Sequence, residues 1–307
     1  MQYSVIVSNV AWMLVYMLVG YGLVKIRKAD STHARSISSI LVYVCGSAMI
    51  FEAFQRMEYN PDDLRRIGLF YIATLIIQIL MIGVLYLILH RRYEQAKYRI
   101  LTVAAVLGNV GFLGLPMVRS LFPNEPIVAC YSSAFSMCMN LIVFTVGVYM
   151  LTHNARYMSL RAAVVNPTTL TILVALPLYL LNYHLPEKIL EPITLLGRMT
   201  TPLCMMVLGM RLAATELKSI FNKPFVYAGC FLKLIVYPLF AYACVYFIPG
   251  LDATFKACVL VLCAMPSASI MLSMAEIHQC EQENSAKILL ASTLLCVVTV
   301  PLILLIL

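Results

Sequence analysis

The chain has 307 residues, 62% hydrophobic and 12% charged, with a mean hydropathy of +0.89 and a formal net charge of +8. A soluble domain carries roughly 25% charged residues, so too few remain here to cover a globule of this length, and a soluble enzyme, a nucleic-acid binder and a secreted disulfide scaffold are excluded. Runs of about 20 apolar residues recur instead, which is the pattern of a multi-spanning helical membrane protein embedded in lipid and not the short alternating segments of a membrane barrel.

Ten spans are predicted, at roughly 4–24, 36–54, 66–89, 99–119, 127–151, 163–183, 191–212, 224–247, 254–276 and 285–307. The first is followed by Lys25, Arg27 and Lys28 and reads as a retained helix, not a cleaved leader. No loop exceeds about a dozen residues, so the chain is read as one membrane domain. The ten cysteines lie in or beside apolar stretches without a C-x-x-C pair, which makes them buried free thiols and gives no metal or cofactor site. Loops after odd-numbered spans hold 14 Lys and Arg, and loops after even-numbered spans hold 7. The richer set is assigned to the cytoplasm, which puts both termini outside.

Five spans per half require the second half to enter the membrane with opposite orientation, the arrangement of an inverted repeat. The halves are taken as 1–155 and 156–307. Pro116 in span four and Pro266 in span nine stand 150 positions apart. FYIATLIIQ from Phe70 aligns with FVYAGCFLK from Phe225, setting Gln78 opposite Lys233.

Span four contains Gly108, Gly111 and Gly114 before Pro116. Each Gly costs a helix about 1 kcal/mol relative to Ala, and Pro removes a backbone donor. A break is predicted there, with Asn109 beside it. In span nine, Pro266 is followed by Ser267 and Ser269, hydroxyls suited to cap the second half-helix or to donate to an anion. Paired breaks in the two halves point to a midplane binding site, and half-helix N-termini suit a carboxylate. The candidate substrate-binding residues are therefore Asn109, Pro116, Pro266, Ser267 and Ser269. Asn140, inside span five, is an amide for substrate or for an interhelical bond.

Elsewhere, Glu52 and Arg56 are spaced for an i,i+4 pair. Asn166 with Pro167 reads as a cap with an early proline. Glu276 and His278 read as interfacial. Lys233 lies nine residues after Pro224, about 13 Å into a hydrocarbon core of about 30 Å. A lysine at that depth needs a partner, and no acid is predicted beside it. Two partners stand open: the free carbonyls of the half-helices, which would make Lys233 a counterion within the crossover, or a substrate carboxylate. Gln78, at the matching position, needs no anion and favours the carbonyls.

GNVGFLGLPM from Gly108, NPTTLTILVALPL from Asn166, TPLCMMVLGMRLA from Thr201, FLKLIVYPL from Phe231 and AMPSAS from Ala264 resemble the auxin efflux carrier family over nearly the whole chain. That resemblance implies an all-α membrane protein of ten helices in two inverted five-helix repeats, with helices four and nine broken and crossing near their prolines, and a homodimer. The short loop from Thr152 to Ala162 matches the compact bacterial permeases for malate, malonate and other organic acids, not the plant carriers with their long loop. The function expected is secondary transport of a small organic anion across the plasma membrane (the inner membrane of a bacterium), with H⁺ or Na⁺ open as coupling ions. A channel or receptor is the alternative, and the absence of catalytic motifs and of any Asp within a span speaks against a membrane enzyme.

Overall fold

The computed structural model describes residues 3–214, 220 and 223–306. Positions 1–2, positions 215–219 and 221–222 of the loop after the seventh predicted span, and position 307 at the end of the tenth lie outside the described residues. The described elements are helical, and one isolated antiparallel bridge, Gly108 to Ser267, is the extended pairing among the described residues.

Five helical runs are long and apolar enough to cross a membrane: Thr32–Gln55, Pro61–Arg92, Ile127–Thr152, Glu187–Ala213 and Pro224–Tyr246. They fall on predicted spans two, three, five, seven and eight. Gln282–Cys296 with Val298–Leu304 meets the same criterion as a bent pair and falls on span ten. Spans one and six fall on Tyr3–Lys25 and Pro167–Leu180. Spans four and nine are each divided, into Ala96–Val106 with Leu115–Leu121 and Ala253–Cys263 with Ser269–Ile277.

Polar residues set the helix starts as local chemistry requires. Asn166 accepts from the Thr169 N–H with Pro167 in the first turn, and Asp252 accepts from the Phe255 N–H at 2.6 Å. Each satisfies a donor that the helix itself leaves unpaired. Wide π-type turns interrupt the regular helix at Leu41–Cys45, Val110–Gly114, Val143–Gly147 and Leu232–Val236.

The chain folds into two compact units, and each draws on both sequential halves. The first contains residues 1–67, 111–133 and 166–217. Its closest helix contact is between Tyr3–Lys25 and Thr200–Ala213. A Cβ built on Gly20 would fall 2.0 Å from the Met206 carbonyl oxygen, and one on Gly209 would fall 1.9 Å from that of Met17. The two backbones touch because neither glycine has a side chain, the means by which helices associate where lipid is as apolar as the interface. A core of Met49, Ile50, Phe54, Leu115, Cys130 and Tyr179 fills the same unit. The Tyr179 hydroxyl donates to the Asn60 carbonyl and accepts from its N–H, both at 3.1 Å.

The second unit contains residues 68–110, 134–165 and 218–307. Its core joins Ile100, Ala104, Leu107, Ile142, Leu234, Met271 and Ile288. Gly229 sits against the Ile288 side chain, where an added Cβ would meet Cδ1 at 3.0 Å.

Because the Gly209 contact is with backbone, no rotamer change relieves it. Gly209→Val is expected to destabilise by more than about 3 kcal/mol, beyond ordinary overpacking at about 1–3 kcal/mol. Gly22→Val, on the same helix as Gly20 but with open space around it, is expected to be near neutral. Thermal unfolding of the two purified variants checks the contrast.

Candidate functional site

Both broken spans meet within the second unit. The helix Ala96–Val106 ends as Leu107 turns extended, at φ −73° and ψ 113°. Ala253–Cys263 ends before Pro266, and Ala268 is extended ahead of Ser269–Ile277. The two extended stretches pair antiparallel: the Asn109 N–H donates to the Pro266 carbonyl at 2.7 Å, and the Ala268 N–H donates to the Leu107 carbonyl at 3.0 Å. Irregular backbone at membrane depth must find its partners inside the protein, and here each break supplies them to the other.

The remaining freed groups are met by side chains. The Ser267 N–H donates to Ser292 Oγ at 3.1 Å, and Ser267 Oγ donates to the Ala104 carbonyl at 3.0 Å. Lys233 is wholly buried, and its Nζ donates to the Val106 and Cys263 carbonyls, each at 3.3 Å. Those carbonyls are at the C-terminal ends of the first half-helices of spans four and nine, where the aligned peptide dipoles leave partial negative charge. One ammonium thus bridges both ends. It also stands 4.6 Å from the ring centre of Tyr237, one turn on, a cation–π distance. Gly108 leaves space for it: a Cβ there would be 3.0 Å from Nζ.

Pro116 is elsewhere, and this corrects the expectation that span four breaks and crosses at its proline. The backbone departs from helix at Leu107–Asn109, while Pro116 lies in the first turn of Leu115–Leu121, within the first unit. That first turn follows the wide turn Val110–Gly114 directly, with Gly114 itself helical at φ −67° and ψ −49°, so the missing donor falls where the regular bonding pattern is already interrupted. Gly108, which admits Lys233, marks the break instead. Pro266 is at the crossing, as its carbonyl bond to Asn109 shows. Neither serine caps the second half of span nine; the cap residue is Ala268, with no side-chain bond.

Asn109 and Asn140 carry side-chain amides that have no hydrogen-bond partner among the described residues; Asn109 is buried and Asn140 partly so. Gln78 is completely buried, and neither its Oε1 nor its Nε2 has a partner. It lies one turn after Thr74, whose Oγ1 is 3.6 Å from Cys138 Sγ. That places it on the side of Pro61–Leu89 turned toward Ile127–Ile142, the helix that carries Asn140. An orphaned buried amide costs about 1–3 kcal/mol, so Gln78 is a polar vacancy in need of a partner. Tyr237 and Ser292 were not legible as site residues. The i,i+4 spacing of Lys233 and Tyr237 was the available signal for the first; Ser292 had none.

Among the described residues, the buried charges of this unit have one sign. Its buried charged side chains are Lys233 and Arg99, the latter donating to the Tyr93 and Glu94 carbonyls at 2.7 Å; the buried acid among the described residues, Glu52, belongs to the first unit. No group of three His, Cys, Asp or Glu suited to a metal occurs among the described residues.

A family model described as membrane transport protein matches the chain twice, at residues 5–157 and 149–304. A protein of Methanocaldococcus jannaschii named as an uncharacterized transporter is 26% identical over 281 residues, 87% of each chain. Another from Methanothermobacter thermautotrophicus, with the same description, is 26% identical over 304 residues, 96% of each.

Replacing Lys233 by Gln withdraws the charge and shortens the reach, leaving two buried carbonyls short of a donor. The expected loss is about 2–6 kcal/mol, at about 1–3 kcal/mol for each of the two orphaned groups. Denaturant or thermal unfolding of Lys233→Gln against wild type measures it; an unchanged transition would show that the ammonium does not hold the half-helices.

Proposed function

The chain belongs to the membrane transport protein family, and we propose that within it the chain is a secondary transporter of a small organic anion, bound at the crossing of spans four and nine. The observation that carries this reading is the buried, cationic crossover: Lys233 fixed between two half-helix ends, with no buried acid among the described residues of the same unit. A multi-pass, non-enzymatic membrane transport protein is what the family and the transporter-named relatives establish. The anion, its binding residues and the mode of coupling belong to the proposal.

Asn109 and Asn140 supply the amide donors for a carboxylate, Ser269 a hydroxyl at the start of the second half-helix, and Pro266 the break that exposes them. Ser267 acts by holding the crossing, since its hydroxyl proton already goes to Ala104. Gln78 stands ready for a polar group or water. Lys233 sets a positive potential while serving the carbonyls as counterion. An anion that moves through such a site exchanges water for fixed dipoles, and access alternates between the two sides because the crossing is the point at which both half-helix pairs meet.

Two consecutive family matches support the inverted five-plus-five reading, although the compact units do not follow the sequential halves. The 14-to-7 distribution of Lys and Arg supports termini on the outer face of the plasma membrane. Homodimeric assembly rests on the resemblance to auxin efflux carriers and compact organic-acid permeases. Coupling to H⁺ or Na⁺ is consistent with a chain that carries no nucleotide-binding loop of its own.

Proteoliposomes test the proposal. Uptake of labelled malonate, malate and short monocarboxylates is expected to saturate and to show counterflow for at least one of them. Asn109→Ala and Pro266→Ala are expected to lower that uptake at least tenfold with insertion retained. Pro116→Ala, remote from the break in sequence, is expected to stay within about threefold of wild type. Flux that does not saturate, or wild-type uptake in both crossover variants, would overturn the assignment.

A further inference from the structure

We propose that the second unit carries a surface site for the headgroup of an anionic glycerophospholipid, built where the helices Ala96–Val106, Pro224–Phe231 and Gln282–Leu304 begin. All three starts belong to that unit. They are neighbours. The Tyr98 and Phe225 rings, each in the first turn of its helix, stand 6.2 Å apart, and Lys223 pairs with Glu283 at 2.8 Å. The helix Ala96–Val106 meets the crossing of spans four and nine at its other end, so the inference does not depend on what that crossing carries.

Charge decides which headgroup fits. Arg92 donates to the Tyr98 hydroxyl at 3.2 Å, and its guanidinium stands 5.6 Å from the centre of that ring. Lys97 Nζ is 5.1 Å from the same centre, a cation–π distance. One ring thus holds two cations, and neither forms an ion pair among the described residues. Lys223 and Lys287 share the single carboxylate of Glu283, at 2.8 and 2.7 Å, so that group also keeps a net positive charge. Arg91 and Glu94 are exposed in the same loop, and Glu281 accepts from Asn284 Nδ2 at 2.6 Å. Leaving aside Arg99, which is bonded to the Tyr93 and Glu94 carbonyls, five basic side chains face three acidic ones among the described residues here.

The backbone adds to this field. Neither Gln95 nor Lys223, the residues that precede the first two helices, caps with its side chain. The first N–H groups of both helices therefore keep the partial positive charge of an N-terminus, which suits a phosphate oxygen. At the third start, Glu283 already supplies negative charge.

The surface beside the cluster makes the partner a lipid and not a free phosphate. Pro224, Tyr227, Ala228 and Phe231 are all exposed, spaced so that they share one helix face. Tyr227 is 51% exposed and Phe231 59%. This apolar stripe begins next to Lys223 and runs into span eight. An acyl chain lies along it while the cations hold the phosphodiester, the arrangement by which basic groups at helix ends select anionic lipid.

Native mass spectrometry of the purified full-length protein tests the site. The probes are dioleoyl phosphatidylglycerol and dioleoyl phosphatidylcholine, whose phosphate charge is cancelled by its own choline. Phosphatidylglycerol is expected to bind about tenfold more tightly. Glycerol phosphate, which has the charge without the chains, is expected not to displace it. Arg92→Gln combined with Lys97→Gln is expected to weaken phosphatidylglycerol about tenfold and leave phosphatidylcholine unchanged. Arg27→Gln combined with Lys28→Gln removes the same charge from exposed positions of the first unit, and is expected to leave both lipids as in wild type. Equal binding of the two lipids, displacement by glycerol phosphate, wild-type binding in the Arg92 and Lys97 variant, or an equal loss in the Arg27 and Lys28 variant would each overturn the proposal.

Discussion

Two short helices that stop in the middle of a span leave carbonyls exposed where there is no water to take them. The ammonium of Lys233 bonds to one carbonyl from each, and much of the second unit follows from that constraint. Gly at position 108 leaves Nζ its room, since a Cβ there would stand 3.0 Å from it. Tyr237 lies one turn on, with its ring face available to the same charge. The antiparallel pairing of Leu107–Asn109 with Pro266–Ala268 then has both its ends fixed, and the backbone bonds that close it need no further donor. Burying an isolated cation is costly. Here the cost is offset by two helix termini whose own charge would otherwise be stranded.

The first unit solves a different problem with different means. Its helices are drawn together by missing side chains, at Gly20 with Gly209 and at Gly197 with Met49. Its ionic groups stay near helix ends in the relay through Glu187, Arg56, Glu52 and Arg119. One unit thus buries cations among carbonyls, and the other sets acids and bases in sequence around a cavity. A transporter needs parts that hold their shape and parts that rearrange, and the contrast supplies both kinds of chemistry.

Much of this was legible from residues alone. Apolar runs placed the helices because each must hide its backbone from lipid, and Asn166, with Pro167 after it, marked a helix start that the structure uses. The Glu52–Arg56 pair followed from i,i+4 spacing. Lys233 was conspicuous because a lysine that deep demands a partner, and geometry could be argued from helical rise. The place of the break in span four was legible in part: Asn109 was read as lying beside it, but the crossing was assigned to the proline. Proline is the louder signal, yet Pro116 lies in a helical run just after the wide turn Val110–Gly114, and the quieter Gly108 leaves the room that the crossing requires. Ser267 shows the same limit: a hydroxyl beside a break is equally able to receive a ligand or to tie down a carbonyl, and only the Ala104 contact distinguishes them. The relay to Glu187 joins positions 131 apart in sequence, and no local pattern announces such a contact.

The wide turn at Leu232–Val236 has a consequence for how this chain can vary. Such a turn accommodates one residue more than a regular helix would over the same rise. Removing a single residue there would restore an ordinary helix and leave what lies beyond it in nearly the same phase, because the extra residue is what the wide turn absorbs. Tyr237, Ala241 and Val245 would stay buried, and the change would be confined to the turn itself, which carries Lys233. A single-residue deletion in this stretch is therefore felt at the lysine and not along the rest of the helix. The segment behaves as a slack-absorbing element, one that can take up a residue without turning the helix that follows it.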